Sequence, residues 1–289
     1  MPRYGAVEMG GTRTSFGVGS SPDDLTVRTI PSGDPEDTLG EVISFLLQVE
    51  PEGVGIASFG PLDLAAGVIG VTPKAGWSGT DVVGPFRTAL DVPVALDTDV
   101  NGAAMGEARW GAGRDLGSFA YVTVGTGIGG GALIGGEPLH GMGHPEMGHV
   151  TVRRHPGDRN PGVCPLHGDC LEGLASGPAI AARSGASAED LRDADLRAAV
   201  EIEAFYLAQL VRDLVYVLAP ERVIMGGGVA RLPGLLDRVS EGLVEELAGY
   251  PGLSAHLAGF VVPPTLGDLS GLAGGLILAE RALAARSSG

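Results

Sequence analysis

The chain has 289 residues, 44% of them hydrophobic and 19% charged, a balance that can bury roughly 75% of the unfolded surface and excludes intrinsic disorder. A formal charge of -16 and a pI of about 4.6 would repel a phosphate backbone, which argues against nucleic-acid binding. No apolar run reaches the ~18 residues of a membrane span and "MPRYGAVEMG" lacks the apolar core of a signal peptide, so a cytoplasmic protein with no membrane partner is expected.

In chain order, "RYGAVEMGGTRTSFGVG" reads as two alternating strands joined at a glycine corner, which is a hairpin. "LTVRTI" is a third strand, Asp37 to Gln48 has helical spacing, and "GVGIASFG" is a buried strand. "VPVALDTDVNGAAMGEARWG" runs from a buried strand into a helix beginning near Val100, and "FAYVTVGTGIGGGALI" repeats the hairpin pattern. Helices follow from Leu196 to Leu218, Leu235 to Leu247 and Ser270 to Ala285, with the strand "RVIMGGG" between the first two. The theme is α/β and duplicated in architecture, not in sequence. Without a proline- and serine-rich linker, two lobes around a cleft are expected in place of independent domains.

Three glycine clusters end strands: Gly10 and Gly11 with Thr12, Gly125 to Gly131, and Gly226 to Gly228. Lacking Cβ, such corners let backbone N–H groups approach a phosphate; each alone is equally a tight hairpin, and three together point to a nucleotide. "GTGIGG" fails as a dinucleotide fingerprint because a strand pattern, not a helix, follows it. No G-K-[ST] occurs, so a Walker A loop is absent. Asp97 and Asp99 stand at a strand-to-helix junction, where extended backbone would put both carboxylates on one face. Either could cap the helix, and either could take the proton of an attacking hydroxyl.

Cys164 and Cys170 are the two cysteines, and a disulfide is a poor explanation of them in a reducing compartment. With His149 and His167 they supply four nitrogen and sulfur donors suited to a closed, structural zinc site. A zincin is excluded, since the histidines of "HPEMGH" are five apart around proline and glycine, where H-E-x-x-H needs a helix. Glu146 and Glu172, which bracket this loop, read as acceptors for a polyol; His144 and His155 are left as surface or substrate-side groups. Lys74 is the one lysine beside eighteen arginines, a usage from which the sequence alone yields no mechanism.

The segments "EMGGT", "GPLD", "TPKAGW", "DTDVNGAAMGEARWG", "YVTVGTGIGGG", "HGMGHPEMGH", "CPLHGDCLEGLASGPAI", "IMGGGV" and "PPTLGDLSGLAGG", spread over nearly the whole chain, resemble the ROK (repressor, ORF, kinase) family of sugar kinases, and its bacterial fructokinase branch in particular. The resemblance implies an actin-like, hexokinase-type (ribonuclease H-like) two-lobe fold, with lobes 1–115 plus 270–289 and 116–269. It implies ATP-dependent phosphorylation of a hexose, D-fructose to fructose 6-phosphate, with glucokinase, mannokinase and N-acetylmannosamine kinase activities, or a non-catalytic sugar sensor, as alternatives. By the same resemblance Gly10, Gly11, Thr12 and Arg13 meet the ATP phosphates, and Gly125, Thr126, Gly127 and Gly129 form a second phosphate loop. Gly226, Gly227 and Gly228 then border the adenosine. Asp99 falls on the catalytic base; Thr98, Glu146, His149 and Glu172 fall with it on sugar-binding positions; Glu8 is a candidate for Mg2+, and structural Zn2+ and a homodimer are implied. The chain departs from the commoner family pattern at Glu8 (aspartate elsewhere), Thr98 (asparagine), Arg13 (lysine) and His167, where a third cysteine is usual.

Overall fold

The computed structural model describes residues 3–250 and 257–287. Two compact units result: Met1–Asp115 with Pro138–His144 and Thr265–Gly289, and Leu116–Glu137 with Pro145–Pro264. Compared with the division expected from sequence, Pro138–His144 and the five residues from Thr265 to Leu269 fall in the first unit.

In the first unit β1 (Tyr4–Met9), β2 (Arg13–Gly19), β3 (Thr26–Pro31), β4 (Gly53–Ser58) and β7 (Val94–Thr98) form a sheet of order β3-β2-β1-β4-β7. The first three strands pair antiparallel, and β4 and β7 add in parallel. A small ribbon, β5 (Leu62–Asp63) with β6 (Val68–Ile69), stands apart. Alternation along β1 sends Val7 and Met9 into a cluster with Phe16, Phe45, Leu46, Ile56 and Trp77, covered by α1 (Pro35–Val49) and α2 (Gly84–Leu90). Tyr4 and Ala6 face the other way, onto Leu272, Leu276 and Ala279 of α8 (Ser270–Ser287).

Glycine sets how closely α8 approaches. A Cβ on Gly55 would lie 1.9 Å from the Gly275 carbonyl, and one on Gly274 would lie 1.9 Å from the Gly102 carbonyl of α3 (Asp99–Trp110). Glu8 shares the face of Tyr4 and Ala6, and its carboxyl fills the space over Gly271, where a Cβ would stand 2.4 Å from Glu8 Cδ. Buried Glu107 ties the end of α3 to α8: its carboxylate accepts from Ala112 N (2.6 Å), Thr265 N (3.0 Å), Leu266 N (2.9 Å) and Ser270 Oγ (2.7 Å).

The second unit repeats the strand order with unrelated residues. Here β8 (Phe119–Val124), β9 (Ile128–Ile134), β10 (Glu137–Pro138), β11 (Val223–Gly226) and β12 (Val261–Val262) run β10-β9-β8-β11-β12, a hairpin followed by two parallel strands. Its helices are α4 (Leu171–Ala175), α5 (Gly177–Ser184), α6 (Asp193–Leu218) and α7 (Leu235–Leu247). Among the described residues no helix is long and apolar enough to cross a membrane.

A buried polar knot holds the loop before α4 against α5 and α6. The Arg183 guanidinium pairs with Asp158 and Glu203, Tyr206 donates to Asp158 Oδ2 at 2.8 Å, and His155 N donates to the Tyr206 hydroxyl at 3.2 Å. Burial pushes the Glu203 carboxyl up to about 8; Arg183 opposes this and Asp158 adds to it. The folded chain therefore holds this proton where the unfolded chain, at the ordinary 4.5, has released it. Stability from Glu203 is complete below about 4.5 and is lost as pH rises toward 8, at up to about 1.4 kcal/mol per pH unit. In urea unfolding between pH 5 and 8 the parent should lose stability relative to Glu203→Gln as pH rises, because only the parent titrates there; a constant difference would contradict the assignment.

Candidate active site

The first glycine corner is the three-residue connection Gly10 to Thr12 between β1 and β2, closed by Gly10 N donating to Arg13 O at 2.9 Å. Gly11, Thr12 and Arg13 are exposed at its tip. Lys74 reaches this corner from 63 residues away, its Nζ donating to Gly11 O at 2.6 Å.

At the β7–α3 junction the strand ends at Thr98 and Asp99 is already helical, so strand alternation does not carry both carboxylates to one face. Neither of them caps the helix. Thr98 does, its Oγ1 accepting from Asn101 N at 3.1 Å, because with three capping-type residues in succession the last strand position falls to the threonine. Thr98, expected among the sugar ligands, is thus buried in the junction. Asp97 is buried and engaged throughout: Oδ1 accepts from Thr98 N (2.7 Å) and Asn101 Nδ2 (2.9 Å), and Oδ2 lies 3.0 Å from His140 Nε2. Asp99 is half-buried, accepts from Val100 N at 2.9 Å, and sits in the first turn, where the helix dipole favours negative charge. Burial pushes the Glu8 carboxyl up to about 7, and Asp99 and Asp268 add to it while Arg13 opposes. Glu8, Asp99 and Asp268 thus lie near enough for their charges to act on one another, and a carboxylate oxygen such as that of Glu8 is the kind of donor that suits Mg2+.

In the second unit the other two corners meet. Gly227, at φ +92°, packs on Val124, where a Cβ would stand 2.3 Å from the carbonyl; only glycine combines that φ with that approach. Gly177, the first residue of α5, donates to Gly125 O at 2.7 Å, and Gly125 N donates to Gly127 O at 2.9 Å. Thr126 is exposed at the tip, as is Gly228. The carboxylate of Glu172 in α4 reaches the same corner, accepting from Ile128 N at 3.0 Å. Glu146 is exposed and opens the short turn Met147–His149 that packs on β9.

His149, Cys164, His167 and Cys170 come together with one ligand atom each, all within 4.8 Å of one another. Cys164 Sγ lies 3.8 Å from His149 Nδ1 and 3.9 Å from His167 Nδ1, and Cys170 Sγ lies 3.5 Å from His149 Nδ1. Zinc bonds of about 2.1 Å to nitrogen and 2.3 Å to sulfur give tetrahedral N···S edges of about 3.6 Å, so the donor set fits. His149 turns Nδ1 to the sulfurs, which directs Nε2 to the opposite side of its ring. The loop is tightened by the reciprocal Cys164–Gly168 backbone bonds (3.1 and 2.9 Å) and by Leu171 N to Val150 O (2.9 Å). Burial pushes the Cys170 thiol up to about 11, with Cys164 adding to it; a bound dication would reverse that by favouring the thiolate.

Sequence reasoning gave no role to Lys74, Glu107, His140 or Asp268. Each lies inside a segment quoted above, "TPKAGW", "NGAAMGEARWG", "HGMGH" or "TLGDLSG", so the signal was present without the partner that gives it meaning.

The geometry can be set beside known proteins. The ROK family profile matches residues 4–282. The chain is 44% identical to a fructokinase of Zymomonas mobilis, over 96% of each chain, and 36% identical to a fructokinase of Pediococcus pentosaceus, over 96% of this chain and 98% of that one. The solved ROK hexokinase of Thermus thermophilus superposes with a TM-score of 0.81 at 27% identity, covering 99% of this chain and 100% of that one. A family profile that runs over residues 4–282 and relatives matched over nearly their whole length place the chain: this protein belongs to the ROK family.

Proposed function

We propose that the protein is an ATP-dependent sugar kinase that converts D-fructose to fructose 6-phosphate. The observation that carries the chemistry is the β7–α3 junction, where Asp97 is fully engaged and Asp99 is held in the first helical turn. Asp99 accepts the proton of the sugar 6-hydroxyl as that oxygen bonds to the γ-phosphorus and the bond to ADP breaks. The transition state is loose, so the carboxylate chiefly orients the hydroxyl and collects a proton that leaves late. Thr98 acts from beneath, by fixing the helix start.

The first corner and the Gly125–Gly129 corner receive phosphates on backbone N–H groups, and Gly226 to Gly228 border the adenosine. Mg2+, which shields phosphate charge when bound, would be held between the ATP phosphates and Glu8. Glu146, His149 Nε2 and Glu172 bind sugar hydroxyls, with Glu172 also bracing the second corner through Ile128. His149 Nδ1, Cys164, His167 and Cys170 hold structural Zn2+. Assembly as a homodimer is proposed on family resemblance.

The fructose assignment follows the fructokinase relatives. A coupled ADP-release assay over fructose, glucose, mannose and N-acetylmannosamine should give the highest kcat/KM with fructose. Preference for another hexose would reassign the substrate, and no ADP with any sugar would leave a binding protein.

A further inference from the structure

We propose that Lys74 is the positioning residue of the first phosphate corner, turning the corner's carbonyls aside so that its backbone N–H groups face the nucleotide. This rests on the reading above that Gly10 to Arg13 meets the ATP phosphates. A hairpin tip has no intrinsic reason to present N–H groups on one side; something must occupy its carbonyls.

Lys74 and Ser32 do so together. Ser32 Oγ donates to Gly10 O (2.9 Å), Lys74 Nζ donates to Gly11 O (2.6 Å), and Ser32 N donates to Thr12 O (2.9 Å). Three successive carbonyls are bound from the same side. Across a planar trans peptide the N–H points opposite to the preceding carbonyl, so the N–H groups of Gly11 and Thr12 leave on the other side. The tip itself is exposed at Gly11 and Thr12, and a Cβ built on Gly11 meets nothing within 4 Å.

The ammonium is itself fixed. Its Nζ also donates to Ser32 O at 2.9 Å, which joins both members of the clamp, and it lies 5.8 Å from the Phe59 ring centroid and 5.7 Å from that of Trp77. Those two rings pack edge-on at 5.3 Å, and Trp77 Nε1 anchors the next turn by donating to Gly33 O at 2.9 Å. The composition gains a meaning here. A chain that otherwise uses arginine throughout keeps its single lysine where two carbonyls converge beside two rings, a place that suits a compact ammonium better than a planar fork.

Lys74→Met preserves the stem against the rings and removes the donors. The KM for ATP should rise about tenfold, the loss expected for charge-assisted bonds, while the inhibition constant of adenosine, which carries no phosphate, stays unchanged. Gly11→Val places a branched side chain at the exposed tip of the corner and should also raise the KM for ATP and spare adenosine. If Gly11→Val weakens ATP and Lys74→Met does not, Lys74 has no positioning role although the corner reading stands. If Lys74→Met weakens ATP and adenosine alike, the loss is generally structural and the proposal is overturned. If Gly11→Val leaves ATP untouched, the corner is not a phosphate site and the reading beneath the proposal falls with it.

Discussion

Asp99→Asn is expected to lower kcat by ~10²-fold or more, with kcat/KM falling in parallel and the KM for sugar little changed. The amide oxygen of asparagine can still accept from Val100 N, as Asp99 Oδ1 does at 2.9 Å, so the first turn of α3 and its Thr98 cap should persist. What disappears is the acceptor for the hydroxyl proton, needed only as the transition state forms, and such a loss lowers kcat and kcat/KM alike. Asp97→Asn is the informative companion. It disturbs a carboxylate shared by Thr98, Asn101 and His140, so its defect should appear in stability as well as rate. Near-normal turnover of Asp99→Asn in the ADP assay would remove Asp99 from the mechanism.

Protein purified without chelator is expected to carry one zinc per chain, and Cys170→Ser to carry none. Zinc ligation contributes ~10–16 kcal/mol of apparent binding energy in small peptides, but a unit with its own core does not need all of it to fold. A metal at 100-fold its dissociation constant adds about 2.7 kcal/mol, which for a chain of this size corresponds to a Tm loss of about 5 °C or more when the site is broken. Chelation should lower the Tm of the parent to a similar extent and leave Cys170→Ser unchanged. The KM for sugar should rise in the variant, because the loop that carries His149 is tied to α4 and Glu172 through this cluster. An equal Tm with and without chelator would leave His149, Cys164, His167 and Cys170 as a cluster with no structural metal.

Much of this was written locally. Both hairpins, the buried strand Gly53–Ser58 and the helix Leu235–Leu247 follow from alternation, helical spacing and glycine at corners, which a single stretch of sequence displays. The cysteine–histidine cluster was legible for the same reason, since its donors other than His149 lie within seven residues. What local pattern could not decide was choice among equals. Asp97, Thr98 and Asp99 are all capping residues, and the end of β7, fixed by pairing with β4, selected Thr98. Long-range partners were invisible in the same way. Nothing near Asp97 announces His140, 43 residues on, and nothing near Ile128 announces Glu172. The glycines of α8 read as poor helix formers until Gly55 and Gly102 are seen pressed against them.

That last contact bears on how the protein is made. The face of the first sheet that displays Tyr4 and Ala6 is closed by α8, whose residues leave the ribosome after every strand of that sheet. The amino-terminal unit therefore spends synthesis with one apolar face uncovered, while the second unit, continuous but for Pro138–His144, can be completed first. Helix α8 is the closing piece of a sheet whose strands were all made before it.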